Sequence, residues 1–327
     1  MTPGVTRLRP WHAPALARSF ILATGPREHV APVAGPTPPA FMALAATVPG
    51  LVPDVQGYAA WANESLVGFA LAEFVPDRRR ANVSVLTIAL SADDVAPDSD
   101  ELAACTALLE RLTADAGARG YVSVFVRLPR ISRFREVFGR LGFVDAVSED
   151  VYTRRPAPTA NPGPIAGLRP VEQADAWDIS QLYRTITPAA LQLAESPGGE
   201  RPSVPRRRLP LFGGGRAPQE FVVDGERGLD GWLRVHPGTR GRHTAALMVH
   251  PRRAALTRPL LSFAVWSLMD SGRLPVRVVV HAHEDTLRRA AEDEGFAKTD
   301  EREVLVKHMS VRIAAEVPAQ ALDRATS

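Results

Sequence analysis

The chain has 327 residues, 45% of them apolar and 23% charged. That is enough for two ordinary domains with their own cores, and it excludes a largely disordered chain. The 39 basic and 36 acidic residues leave a net charge of +3, which by itself does not mark a nucleic-acid binder, although the pI of 9.4 leaves that class open. The single cysteine, Cys105, excludes an intrachain disulfide and reads as a core filler. No apolar run approaches the ~20 residues that span a bilayer, and the first residues lack the basic-then-apolar pattern of a signal peptide. The cytoplasm is the expected location, and no membrane partner is expected.

In chain order, residues Val5 to Arg9 read as a strand and Ala13 to Leu22 as a helix, followed by a proline-rich stretch with a second helix over Ala40 to Ala46. Tyr58 to Ala62, Leu66 to Val75 and Asn82 to Leu90 alternate as strands, with Asn63-Glu64-Ser65 as a hairpin turn. Leu102, Cys105, Leu108, Leu109 and Leu112 recur at helical spacing. Tyr121 to Arg127 reads as a buried strand, Ser132 to Leu141 as a helix stopped by Gly142, and Phe143 to Asp145 and Glu149 to Arg154 as closing strands. A proline- and glycine-rich linker over 154–166 separates an N-terminal lobe (1–153) from a C-terminal lobe (167–314) and a tail (315–327).

The second lobe repeats the order. Leu168-Arg169-Pro170 echoes Leu8-Arg9-Pro10, and a helix over Ala174 to Thr185 follows, with a further one over Pro188 to Ala194. Glu220 to Asp224, Gly228 to His236 and His243 to Val249 supply three strands. A long helix over Arg258 to Ser271, a buried strand over Val276 to His281, a helix over Asp285 to Glu294 and a strand over Glu303 to Val311 complete the lobe. Gly295-Phe296 answers Gly142-Phe143, and matching landmarks lie about 153 to 163 positions apart, which is a duplicated domain rather than a solenoid. The expected fold is a mixed α/β sheet with helices on both faces.

The element order, with its closing helix, Gly-Phe and strand, resembles the GCN5-related N-acetyltransferase (GNAT) family, here as two tandem lobes covering nearly the whole chain. The stretches FGRLGFVDAVSEDVYTRR and AEDEGFAKTDEREVLVKHM carry the resemblance, supported by TIALSADDVAPDSDELAACTALL and MVHPRRAALTRPLLSFAVWSLM. It implies acyl-CoA, normally acetyl-CoA, as co-substrate, held where two parallel strands splay apart, with its pyrophosphate at the start of the following helix. Helix N-termini suit phosphate through unpaired N–H donors and the helix dipole.

Neither lobe keeps the family's glycine-rich phosphate loop. In the first, Ser91 to Glu101 carries Asp93, Asp94, Asp98, Asp100 and Glu101, and each like-charge pair with a phosphate costs on the order of a few kcal/mol. The first lobe is therefore expected to be architectural. In the second, the resemblance assigns CoA binding to Val249, His250, Arg252, Arg253, Ala255, Thr257 and Arg258, with the arginines as phosphate ligands and Thr257 as a helix cap. The family's acid tyrosine, four residues before the Gly of Gly-Phe, is replaced by Phe138 and Ala291.

His281 and His283, at the end of the second lobe's buried strand, are the candidate catalytic residues, either of them a base for an incoming amine. With His250 they are expected to converge near the splay, but no fixed-spacing metal motif supports a metal site. The basic stretch Arg201 to Arg216 reads as an insertion beside the cleft and lacks the Gly-Lys-Ser/Thr ending of a P-loop. The expected activity is acyl transfer from acetyl-CoA to a small-molecule or protein amine. A non-catalytic ligand- or partner-binding protein is the alternative, and a homodimer is left open.

Overall fold

The computed structural model describes residues 3–16, 27–29, 46–47, 54–76, 79–89, 99–156, 160–189, 191–192, 217–238, 241–269 and 271–309. The acidic loop at 91–98, the basic stretch at 201–216, the tail at 315–327 and nearly all of the helix expected at 40–46 lie outside them. The first half runs β1 (Gly4–Arg7), β2 (Arg27–His29), β3 (Val55–Ala62), β4 (Ser65–Val75), β5 (Arg80–Ala89), α1 (Ser99–Ala118), β6 (Ser123–Pro129), α2 (Arg135–Arg140) and β7 (Val144–Arg154). The second runs β8 (Leu168–Pro170), α3 (Ala176–Ile186), β9 (Gln219–Gly225), β10 (Gly228–His236), β11 (His243–Val249), α4 (Thr257–Met269), β12 (Val276–His281), α5 (Asp285–Asp293) and β13 (Ala297–His308). No helix among the described residues is long and apolar enough to cross a membrane.

Local chemistry sets the repeat. Asn63 and Glu64 take positive φ between Ala62 and Ser65, the two-residue turn that matches strand twist. Both Gly-Phe endings close their helices in the same way. Gly142 and Gly295 have φ of 81° and 77°. Phe143 N–H donates to the Phe138 carbonyl at 3.0 Å, and Phe296 N–H to Ala291 at 2.9 Å. This is the left-handed cap that glycine alone adopts without a Cβ penalty.

The sequence does not announce how the halves join. All strands belong to one sheet, ordered β1-β3-β4-β5-β6-β13-β7-β12-β11-β10-β9-β8, with β2 on β5. The closing strands have changed places: β13 lies between β6 and β7, and β7 lies against β12. Each half thus supplies the strand that completes the other. Phe143 to Asp145 and Glu149 to Arg154, expected as two strands, form the single strand β7 because its long pairing with β13 absorbs the intervening residues.

The cores follow the exchange. Leu305 of β13 packs into the first-half core with Leu108, Leu112 and Phe138. Tyr152 of β7 packs into the second-half core with Leu260, Val278 and Ala291. Cys105 is buried in the first core. Truncating Leu305 to Ala should cost about 2–5 kcal/mol. Because Leu305 sits in the opposite half's core, a single melting transition should move down as a whole in calorimetry. Two transitions, with only one displaced, would show that the halves fold separately.

Candidate active site

The sheet opens at two parallel pairs. Strands β5 and β6 are in register only over Arg80–Val83 against Ser123–Val126. Strands β11 and β12 are in register only over His243–Ala245 against Val276–Val278. Beyond those rungs each pair runs on without a ladder, to Ala89 and Pro129 in the first half and to Val249 and His281 in the second. Such a gap offers backbone N–H and C=O groups that need partners.

In the first half the gap already has an occupant. Strand β2 adds to β5 there, Arg27–His29 against Thr87–Ala89, while β4 holds the other edge of β5. In the second half β10 holds one edge of β11 as far as Val249. No strand among the described residues lies on the other edge beyond Ala245. At the start of α1, Glu101 is buried and paired with Arg133 at 2.8 Å, so this carboxylate, expected to repel phosphate, also ties α1 to the loop before α2.

The connection from β11 to α4 is a 3-10 turn over Pro251–Leu256, entered through Pro251. His250 is extended and caps it: its Nδ1 accepts the Arg252 N–H at 3.2 Å, and its carbonyl accepts the Arg253 N–H at 2.8 Å. The 3-10 turn leads directly into α4, so Thr257 is buried with helical φ and ψ rather than acting as an extended cap. Arg253 pairs with Asp230 at 3.1 Å and Arg258 with Glu294 at 3.0 Å. Arg252, exposed, has no ion-pair partner among the described residues, so of the three arginines it alone is uncommitted. Ala255 lies on the exposed side of the turn, and Val249 ends β11 at the gap.

His281 and His283 come together at the end of β12, their rings stacked at 5.5 Å. His250 is engaged in its own loop. His281 Nδ1 lies 2.9 Å from Glu284 Oε2, and its Nε2 lies 3.5 Å from Glu149 of β7. Glu149 is almost fully buried and takes a second partner, Arg127 of β6, at 3.0 Å. Burial alone would raise the Glu149 carboxyl, but Arg127 and His281 outweigh it and hold it at about 2. Burial likewise opposes charge on His281, yet the two carboxylates push it up to about 10. An imidazolium has no lone pair with which to accept a proton, so this shift argues against His281 as a base. His283 goes the other way: desolvation lowers it, Glu284 opposes that in part, and the charge of His281 adds a smaller push downward, which favours the neutral form at pH 7.

The acid position of the family stays empty of acids. Phe138 and Ala291 are wholly buried. No group of three His, Cys, Asp or Glu among the described residues is placed to hold a metal ion. No family model matches the sequence, and no curated protein does. Solved structures do. A tandem GNAT protein from the clavulanic acid biosynthesis pathway aligns over 94% of this chain and 98% of its own, with 14% identity and a TM-score of 0.54. A GCN5-related N-acetyltransferase from Sphaerobacter thermophilus aligns over 93% and 95%, with 15% identity and a TM-score of 0.55.

This chain has the tandem GNAT fold. The mixed sheet, the paired splays and the Gly-Phe closures are the parts of that fold present here. Nothing in the sequence marks Arg127, Glu149 or Glu284 as site residues. Glu284 adjoins the His-Ala-His stretch, but Arg127 and Glu149 belong to the first half and reach His281 only through the strand exchange.

His281 titrates at about 10 in the fold against an ordinary value of 6.5. Its charge therefore stabilises the fold fully below pH 6.5, and this contribution is lost as the pH rises through 10. The wild-type melting temperature should fall between pH 7 and 10 more steeply than that of His281→Gln. Parallel curves in a fluorimetric pH series would contradict the assignment.

Proposed function

We propose that this chain transfers an acyl group from acetyl-CoA, or another acyl-CoA, to an amine, and that the working site is the gap of the second half. The observation that carries this reading is the contrast between the gaps: β2 lies along β5 in the first, while in the second no strand among the described residues pairs with that edge of β11 beyond Ala245. A bound acyl-CoA would supply an activated acyl group. That edge of β11 near Val249 would hold the thioester by backbone hydrogen bonds. Arg252 would neutralise phosphate, while Arg253 and Arg258 stay committed to the mostly buried carboxylates of Asp230 and Glu294.

His283 would take the proton of the attacking amine, because it is the neutral member of the stacked pair. Charged His281 orients the strand end through Glu149 and Glu284 and disfavours a second charge beside it, which helps to keep His283 neutral with a lone pair free to accept a proton. Ala291 supplies no acid, so the thiolate must be protonated by the base's conjugate acid or by water. Rate would then come from positioning and the base. The acceptor is a small-molecule or protein amine.

A second reading keeps the fold for binding alone, and the buried, apolar Phe138 and Ala291 at the acid position favour it. Steady-state assays over an amine panel separate the two. His283→Ala should lower kcat by about 10²–10⁴-fold with acetyl-CoA binding unchanged in calorimetry. The wild-type rate should rise to a plateau with an apparent pKa below 6.5. Acetyl-CoA binding with no turnover on any amine would establish the non-catalytic reading.

A further inference from the structure

Strand β12 carries an arginine in an otherwise apolar run, Val276-Arg277-Val278-Val279-Val280. Val276, Val278 and Val280 join the core under α4 and α5, so strand alternation sends Arg277 and His281 to the opposite face. Register keeps Arg277 beside Thr153 of β7 and Thr244 of β11. It therefore lies in the laddered part of the second-half pair, four residues before His281.

Arg277 is only 6% exposed, and its Nε has no hydrogen-bond partner. Two further guanidiniums act on it, those of Arg302 from β13 and Arg242 from the approach to β11. Arg302 is itself buried, at 8% exposure, and bends back to Asp300 at 2.6 Å. Arg242 has no ion-pair partner among the described residues. The carboxylates that act on Arg277 are Asp300, already held by Arg302, and Glu149, already held by Arg127 and His281. Three buried or half-buried cations thus share essentially one carboxylate that is not spent elsewhere.

Charge left unpaired away from water is strongly unfavourable. Arginine's planar fork is shaped for a carboxylate or phosphate group. We propose that Arg277, Arg302 and Arg242 form a binding site for the oxyanion group of a small molecule, a carboxylate or a phosphate. Arg242, the least buried of the three, stands at its entrance. If the acyl-transfer reading holds, this group belongs to the acceptor: the site is on the same strand and face as His281, roughly 13 Å along β12. An acceptor bearing an amine at one end and an acid at the other would then span the distance.

The test uses the full-length protein and no CoA. Melting temperature is measured in titrations of sodium phosphate and of sodium glutarate, with sodium chloride holding ionic strength constant. A saturable rise is expected for the wild type, and its larger size with one anion assigns the ligand to phosphates or carboxylates. Arg277→Met should melt higher than wild type without added anion, because an unpaired buried charge has gone, and should lose the anion-dependent rise. Should Arg277→Met fail to fold, Arg242→Gln serves instead, with at least a tenfold loss of apparent anion affinity. No anion-dependent rise, or the same rise in wild type and variant, would overturn the site. Neither readout involves acyl-CoA, so its failure is separable from failure of the acyl-transfer reading.

Discussion

Strand β13 has to seat between β6 and β7 before either half has a complete sheet. Leu305 then closes the first core and Tyr152 the second, and nothing within one half can take their places without breaking the other. The backbone ladder of this exchange runs over most of β7 and β13. Fixing two long strands costs conformational entropy throughout their length, and the apolar burial on both sides of the seam is what offsets it. The order of strands at the centre of the molecule follows from this one constraint.

The same exchange gives the histidine pair its electrostatics. Arg127 and Glu149 come from first-half strands, and they meet His281 because β7 is the neighbour of β12. A buried glutamate between a guanidinium and an imidazolium is stable only while both partners remain. The first half, with its own gap filled by β2, thereby has a part in the second half's site. The two halves share one architecture, and the seam brings charged residues of one half against His281 of the other.

Much of the fold was legible because it is written locally. Gly142 and Gly295, the Asn63-Glu64 turn, and the apolar stripe through Leu102, Cys105, Leu108 and Leu112 each act within a few residues. Strands such as Gly228–His236, His243–Val249 and Val276–His281 were read with the bounds they have. The exchange was not legible, since alternation in β7 and β13 is satisfied equally well by either partner strand. Strand β2 was missed because three residues in a proline-rich stretch carry no period. At the site, spacing singled out His281 and His283, but their opposite protonation depends on Glu149, which lies far away in sequence. The lone arginine in the Val276–His281 strand was not singled out from the sequence, because one polar residue in a short apolar run does not by itself mark a site.

The account rests on the second gap as the place where acyl-CoA binds, and a crystal structure of the full chain soaked with acetyl-CoA tests that most directly. The ligand is expected between β11 and β12, its thioester against Val249 and its pyrophosphate at Arg252, with β2 still paired to β5 in the first half. Acetyl-CoA found along β5 with β2 displaced would contradict the account, as would a second gap still empty at saturating ligand.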